Sequence, residues 1–214
     1  MSSSMNARQR QGAYLVISRM LTYPDLRLID DLPLLRAVIE GLPGQVGTPL
    51  RDYLMFLESK TLIELQEHYV SIFDMKRRCC LYLSYYLNGD TRRRGMALWR
   101  FQETYQRAGW VINDGELADY LPMLLEFAAS GVEEESIAVT LMQEHQEGLE
   151  VLRTALQRFN SQSSLLITAL LQLLPTLTPE QQAAAHTLIA NGPPAELVGL
   201  EPFGVQPITI GARP

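Results

Sequence analysis

The sequence predicts an all-α fold, a single compact helical bundle of about nine or ten helices followed by an extended C-terminal tail. Apolar residues recur at the 3.6-residue period of an amphipathic helix along most of the chain, and helix-start signatures punctuate it. Only Gln206-Pro-Ile-Thr-Ile-Gly211 looks like a strand, and it falls in a stretch with five prolines between 193 and 214. The 214 residues suit one domain with enough interior for a sizeable core. The predicted partition is a flexible N-terminus at 1–9, a helical domain at 10–191 and a Pro/Gly-rich extended tail at 192–214.

Tyr14, Ile17, Ser18 and Leu21 mark one face of the first helix, which Pro24 stops. A second helix is read from near Pro33 to Gly41. Thr48-Pro49 offers an N-cap followed by proline at the first helical position, opening a third through Leu54 and Leu57. Thr61 with Glu64 is a capping box. It opens a helix whose buried stripe is Leu62, Leu65, Tyr69, Ile72 and Phe73. Cys79 to Leu87 then reads as a short, largely buried helix, with a strand as the second choice. Asp90 or Thr91 caps an arginine-rich helix that runs to about Arg107 and ends at Gly109. In the next stretch, "DGELADYLPMLLEFAAS", Pro122 kinks the helix or restarts it. An amphipathic stretch from about Glu133 to Phe159 and an apolar helix at 164–174 follow. Thr178 with Gln181 is a second capping box, and that last helix stops at Asn191-Gly192.

Composition narrows the function classes. The longest apolar runs, such as Ser164 to Pro175, fall short of the roughly 20 residues of a membrane span, and the first apolar stretch carries Arg19 and lacks a signal cleavage site. The expected location is the cytoplasm, with no membrane insertion. The two cysteines, Cys79 and Cys80, are adjacent, a spacing that disfavours a bond between them. They read as small apolar fillers, although Lys76, Arg77 and Arg78 before them could lower a thiol pKa. The three histidines, His68, His145 and His186, are scattered without metal-ligand spacing, so no metal is predicted. There is no Gly-rich phosphate loop, no Gly-x-Ser-x-Gly elbow and no Cys-His pairing with a third member. An enzyme is not expected.

Charge is distributed unevenly. Residues 76–107 hold eight basic residues against two acids, so this segment carries +6 and the remainder −12 to reach the net −6. Arg92, Arg93 and Arg94 fan over more than half of a helix circumference at 100° per residue. They therefore cannot all grip one groove. As scaffold, Arg92 and Arg94 would pair with carboxylates such as Asp74 or Asp119; as a site, they and Asp90 would meet an anionic partner. The sequence pI near 5.1 disfavours nucleic acid. Read on a helix, Glu116, Asp119 and Tyr120 share a face at i, i+3, i+4, with Glu126 farther down. Glu116 is then explained by the dipole of that helix's first turn.

Residues 67–129 carry a resemblance. Tyr69-x-x-x-Phe73-Asp74, Gly89-Asp90-x-Arg92-x-Arg94-Gly95 and Glu116-Leu117-x-Asp119-Tyr120-Leu121-Pro122-x-x-Leu125-Glu126, in that order and spacing, resemble the signature region of the NarJ-type nitrate reductase assembly chaperones. Ala118 and Tyr120 stand where the family usually has proline and often histidine. The resemblance implies an all-helical cytoplasmic chaperone that binds the apo catalytic (alpha) subunit of a respiratory nitrate reductase, chiefly through its N-terminal segment. That binding would promote insertion of the molybdenum cofactor. The partner carries this cofactor, and none is expected to stay bound to the chaperone. Tyr69, Phe73, Asp74, Asp119, Tyr120 and Leu121 are the candidate partner-binding residues; Asp90, Arg92, Arg94, Glu116 and Glu126 are candidate structural or anion contacts. A generic all-α peptide- or anion-binding adaptor and a small all-α enzyme are the alternatives.

Overall fold

A computed structural model describes residues 5–112 and 115–194 of the chain. Within them the protein is all-α, with eleven α-helices, one π segment and one 3-10 turn. The expected strand at 206–211, and all of the expected tail except 192–194, lie outside the described residues.

Helix α1 (Ala7–Leu21) starts inside the stretch read as a flexible terminus, because Asn6 and Gln9 form a reciprocal capping box. Its apolar face, with Tyr14, Ile17 and Leu21 fully buried, makes it a hub of the bundle. α1 packs on α2 (Leu26–Glu40), α7 (Leu121–Ser130) and α10 (Ser164–Leu171). Ser18 is fixed at the α1–α7 contact, where its buried hydroxyl donates to the Pro122 carbonyl at 2.9 Å.

Two helix starts differ from those the sequence suggests, both through proline. α2 begins at Leu26, with the Asp25 carboxylate accepting from the Leu28 N–H, and Pro33 lies inside it. α3 (Gly44–Glu58) contains Pro49. Proline costs a helix one hydrogen bond and a steric clash. Pro33 is exposed, while Leu28, Leu35 and Ile39 hold the other face of the helix in the core. The capping boxes at Thr61 and Thr178 stand where they were read, opening α4 (Leu62–Tyr69) and α11 (Pro179–Asn191).

The long stretch read from Glu133 to Phe159 is two helices, α8 (Val132–Glu144) and α9 (Gln146–Arg158), broken at His145. α9 packs on α5 (Leu83–Asn88), α10 and α11. Gly148 permits the close approach to α5, since a Cβ there would sit 2.8 Å from the Cβ of Tyr86. Arg10 of α1 forms an ion pair with the buried Glu135 of α8. By contrast, α6 (Arg92–Arg107) is loosely held, with only Phe101 and Tyr105 buried among its sixteen residues.

The interior sets the behaviour of the titrating side chains. Burial pushes the Cys79 thiol up to about 12, so this cysteine is an apolar filler rather than a nucleophile. Burial also lowers the pKa of His145, whose Nδ1–H donates to the Leu141 carbonyl at 2.9 Å, and that of His68. Both rings therefore take up a proton less readily in the folded chain than in the unfolded one, where they titrate near the ordinary value of 6.5. The unfolded state binds more protons below that value, so stability should fall as pH drops from 7 to about 5.5. Urea-unfolding midpoints should decline across that window, and His145→Gln should flatten the slope.

Candidate functional site

At the end of α4 the backbone widens into a π segment, Val70–Asp74, closed by a hydrogen bond from the Met75 N–H to the Val70 carbonyl. A π turn shifts the side-chain register that an α-helix would keep. Here the Tyr69 and Phe73 rings lie 4.8 Å apart. Tyr69 also meets the Tyr23 ring edge-on at 5.4 Å, and its hydroxyl is 3.5 Å from that of Tyr120. Tyr120 in turn packs at 5.6 Å against Tyr82, whose hydroxyl donates to Glu116 at 3.1 Å. The result is a belt of rings, half-buried on one side, with Glu116 and the exposed Asp74 at its rim.

Burial, and secondarily the charges of these two acids, raise the Tyr69 phenol pKa. Burial together with the Glu116 charge pushes Tyr82 up to about 12, and burial raises Tyr120 further still. All three hydroxyls therefore remain protonated donors at neutral pH.

The belt is anchored from beneath by Asp119, whose side chain is fully buried. Residues 81–83 and 119–121 run antiparallel around an isolated bridge between Tyr82 and Tyr120: the Leu83 N–H donates to the Asp119 carbonyl at 3.0 Å, and the Leu121 N–H to the Leu81 carbonyl at 2.8 Å. Asp119 Oδ2 accepts from the Ser84 N–H at 3.0 Å and from its hydroxyl at 2.5 Å. Ser84 lies in the first turn of α5, and the preceding Tyr82 provides no side-chain cap. The carboxylate thus caps α5 from 35 residues away, where an anion is favoured by free N–H groups and the helix dipole. Arg94 supplies positive charge, with its guanidinium 4.0 Å from Asp119 and 3.5 Å from Asp90 and lying over the Tyr82 and Tyr85 rings.

The sequence-derived candidates divide accordingly. Tyr69, Phe73, Tyr120 and Glu116 converge on the belt, with Asp74 exposed beside it. Leu121 is fully buried, a core residue rather than part of a surface. Glu126 is on another face, where it accepts from Ser18. Asp90 pairs with Arg77 and Arg94, while Arg92 is exposed and does not share the half-buried setting of Arg94. The shared helical face read for Glu116, Asp119 and Tyr120 does not exist, because α7 begins only at Leu121, with Pro122 in its first turn. Nor does a helix dipole account for Glu116; it accepts instead from Tyr82 and from the Leu117 N–H. Sequence reasoning passed over Tyr23, Tyr82 and Ser84. The run of tyrosines at 82–86 was a signal for Tyr82, whereas nothing local marked Ser84.

A separate apolar groove of about 440 Å³ opens between α1 and α2, lined by Gly12, Leu15, Val16, Leu34, Leu35 and Val38, with the Arg19–Asp31 ion pair beside it. Among the described residues no group of three or more His, Cys, Asp or Glu is placed to hold a metal ion, and no helix is long and apolar enough to cross a membrane.

Residues 40–162, more than half of the chain, match the family described as nitrate reductase delta subunit, and the chain belongs to that family. It is 30% identical over 174 residues, 81% of its length and 94% of the relative's, to the "Probable nitrate reductase molybdenum cofactor assembly chaperone NarJ" of Bacillus subtilis. Identity to the "Nitrate reductase molybdenum cofactor assembly chaperone NarJ" of Escherichia coli K12 is 29% over 172 residues, 79% and 72% of the two chains. A "Nitrate reductase-like protein NarX" of Mycobacterium tuberculosis matches at 36% over 121 residues, 53% of this chain and 17% of the relative. The Bacillus subtilis and Escherichia coli relatives are named as chaperones, not as enzymes.

The arginines then separate by role. Arg94→Ala removes the cation beside a buried carboxylate and should lower unfolding stability by about 1–3 kcal/mol. Arg93→Ala, at an exposed position, should stay within about 0.5 kcal/mol of the parent. Chemical denaturation of the two variants checks this; equal losses would remove Arg94 from the anchoring network.

Proposed function

We propose that this chain is the system-specific chaperone for the catalytic subunit of a respiratory nitrate reductase, that it acts in the cytoplasm, and that it binds the N-terminal segment of the apo subunit so that the molybdenum cofactor can be inserted. The chaperone itself performs no chemistry and retains no cofactor. Family membership supports the chaperone role, and the names of the relatives point to nitrate reductase as the client.

The observation that carries the peptide reading is the tyrosine belt. Tyr69, Tyr82 and Tyr120 present ring faces and protonated hydroxyls, and Glu116 and Asp74 give the rim a negative charge. Such a surface accepts the apolar side of an amphipathic helix while pairing with basic residues along its edge. Aromatic side chains provide large contact area with little rotamer entropy to lose.

A second reading rests on the α1–α2 groove, where Leu15 and Leu34 are 50% and 65% exposed beside a cavity of about 440 Å³. Isothermal titration calorimetry with a synthetic peptide of the catalytic subunit's N-terminal segment separates the two. Binding to the parent protein should show a negative heat-capacity change from buried apolar surface. Tyr82→Ala and Glu116→Lys should each weaken it by about tenfold or more, or roughly 1.4 kcal/mol, and Leu34→Asp should leave it unchanged. The reverse pattern would place the peptide in the α1–α2 groove, and absence of binding to the parent protein would remove the peptide reading altogether.

A further inference from the structure

Among the described residues, nothing covers one face of α6. Met96 and Trp99, one helical turn apart, are 68% and 55% exposed. The helix carries Arg92, Arg93, Arg94, Arg100 and Arg107 against the single acid Glu103, in a chain of net charge −6. Beside this face is a cavity of about 480 Å³ whose lining includes Asn88, Arg93, Met96, Ala97, Trp99 and Phe101. Exposed tryptophan, methionine and arginine in one patch is the composition of an interface centre rather than of ordinary solvent-facing surface.

The route of the chain after α11 shows what lies within reach. Gly192, at φ +82, turns the backbone beside the Arg78 guanidinium, and Pro194 then comes down on Gly89. Gly89 has φ +58 and ψ −156, a conformation that favours glycine, and a Cβ there would overlap the Pro194 carbonyl. Gly89 is buried, three residues before the start of α6 and next to Asn88 at the end of the cavity. The described chain thus ends at the N-terminal edge of the uncovered face.

Twenty residues follow, Ala195 to Pro214. They begin Ala-Glu-Leu-Val-Gly-Leu-Glu, with acids at 196 and 201 flanking three aliphatic side chains, and contain one basic residue, Arg213. From Arg92 to Arg100 the helix axis advances about 12 Å at 1.5 Å per residue. An extended chain covers that distance in about four residues. Length, starting point and charge all match.

We propose that residues 195–214 of this same chain dock on the outer face of α6 as an intramolecular strap, with Glu196 and Glu201 facing its arginines and the aliphatic residues between them covering Met96 and Trp99. The strap keeps a basic, aromatic surface from non-specific association in the free protein, and a partner that uses α6 has to displace it. The inference does not depend on which client the tyrosine belt binds.

Two measurements on the full chain test it. In a Trp110→Phe background Trp99 is the sole tryptophan, and its quenching by acrylamide reports coverage of the face. Glu196→Lys combined with Glu201→Lys should raise the quenching constant about two- to threefold, and high salt should move the parent protein in the same direction. Because Trp110 packs on Tyr105 and Phe127, a second measurement leaves it in place. Arg93→Lys provides an amine, and zero-length carbodiimide coupling should join position 93 to Glu196 or Glu201 in a product of monomer mass. Quenching unaffected by the charge reversals, or no coupling to the tail, would overturn the proposal. Coupling only in a product of dimer mass, increasing with protein concentration, would give the face to a second copy and likewise overturn it.

Discussion

A single buried carboxylate organises the signature region of this protein. Asp119 is fully removed from solvent, and its oxygen Oδ2 is held by two donors of Ser84 at the start of α5, with Arg94 alongside. Removing one partner of such a buried charge leaves the desolvation penalty uncompensated, so α5, α6 and the segment before α7 are energetically linked through one side chain. The antiparallel bridge on either side of it turns the Tyr82 and Tyr120 rings toward each other, and the belt continues through Tyr69 to Tyr23 and Phe73. The three motifs that lie apart in sequence are the parts of this one construction: the Tyr69–Asp74 motif forms the π segment, the Gly89–Gly95 motif provides the turn and Arg94, and the Glu116–Glu126 motif supplies Asp119 and Tyr120.

The arginines that stand out in an acidic chain have divided tasks. Arg94, half-buried, counters Asp119 and Asp90 and covers two tyrosine rings; Arg77 pairs with Asp90; Arg100 reaches Glu144 of α8. Arg93 stays on the outside of a helix that buries only two residues. Positive charge therefore supports the tyrosine belt from one side of α6 and forms a separate surface on the other. Acid at the rim of the belt and base on the outer face of α6 give the molecule two chemically distinct faces within one signature region.

What was legible in the sequence was local. The boxes at Thr61 and Thr178 were read correctly because the residues that satisfy the free N–H groups lie within one turn of each other. Pro33 and Pro49 are poor guides to the boundaries, because proline ordinarily marks a helix start whereas burial of the opposite helix face carries α2 and α3 through it. Glu116, Asp119 and Tyr120 were placed on one helical face by spacing arithmetic that presupposes a helix. Gly115 at φ +117 and the pairing of 119–121 with 81–83 make that stretch non-helical. The role of Ser84 could not be read at all, since an ordinary serine acquires it only when a carboxylate 35 residues away folds onto it. The motifs of the family signature meet in the structure around Asp119 and Tyr120, although periodicity alone does not reveal how their residues come together.

The central claim is that Asp119 locally holds the α5 start and the tyrosine belt in place, and residue-resolved amide hydrogen exchange of Asp119→Ala tests it most directly. The account predicts that protection collapses at Ser84 and at the bridge amides of Leu83 and Leu121, while α1, α3 and α10 keep theirs, because their packing does not pass through this carboxylate. Unchanged protection at Ser84, Leu83 and Leu121 in that variant would contradict it.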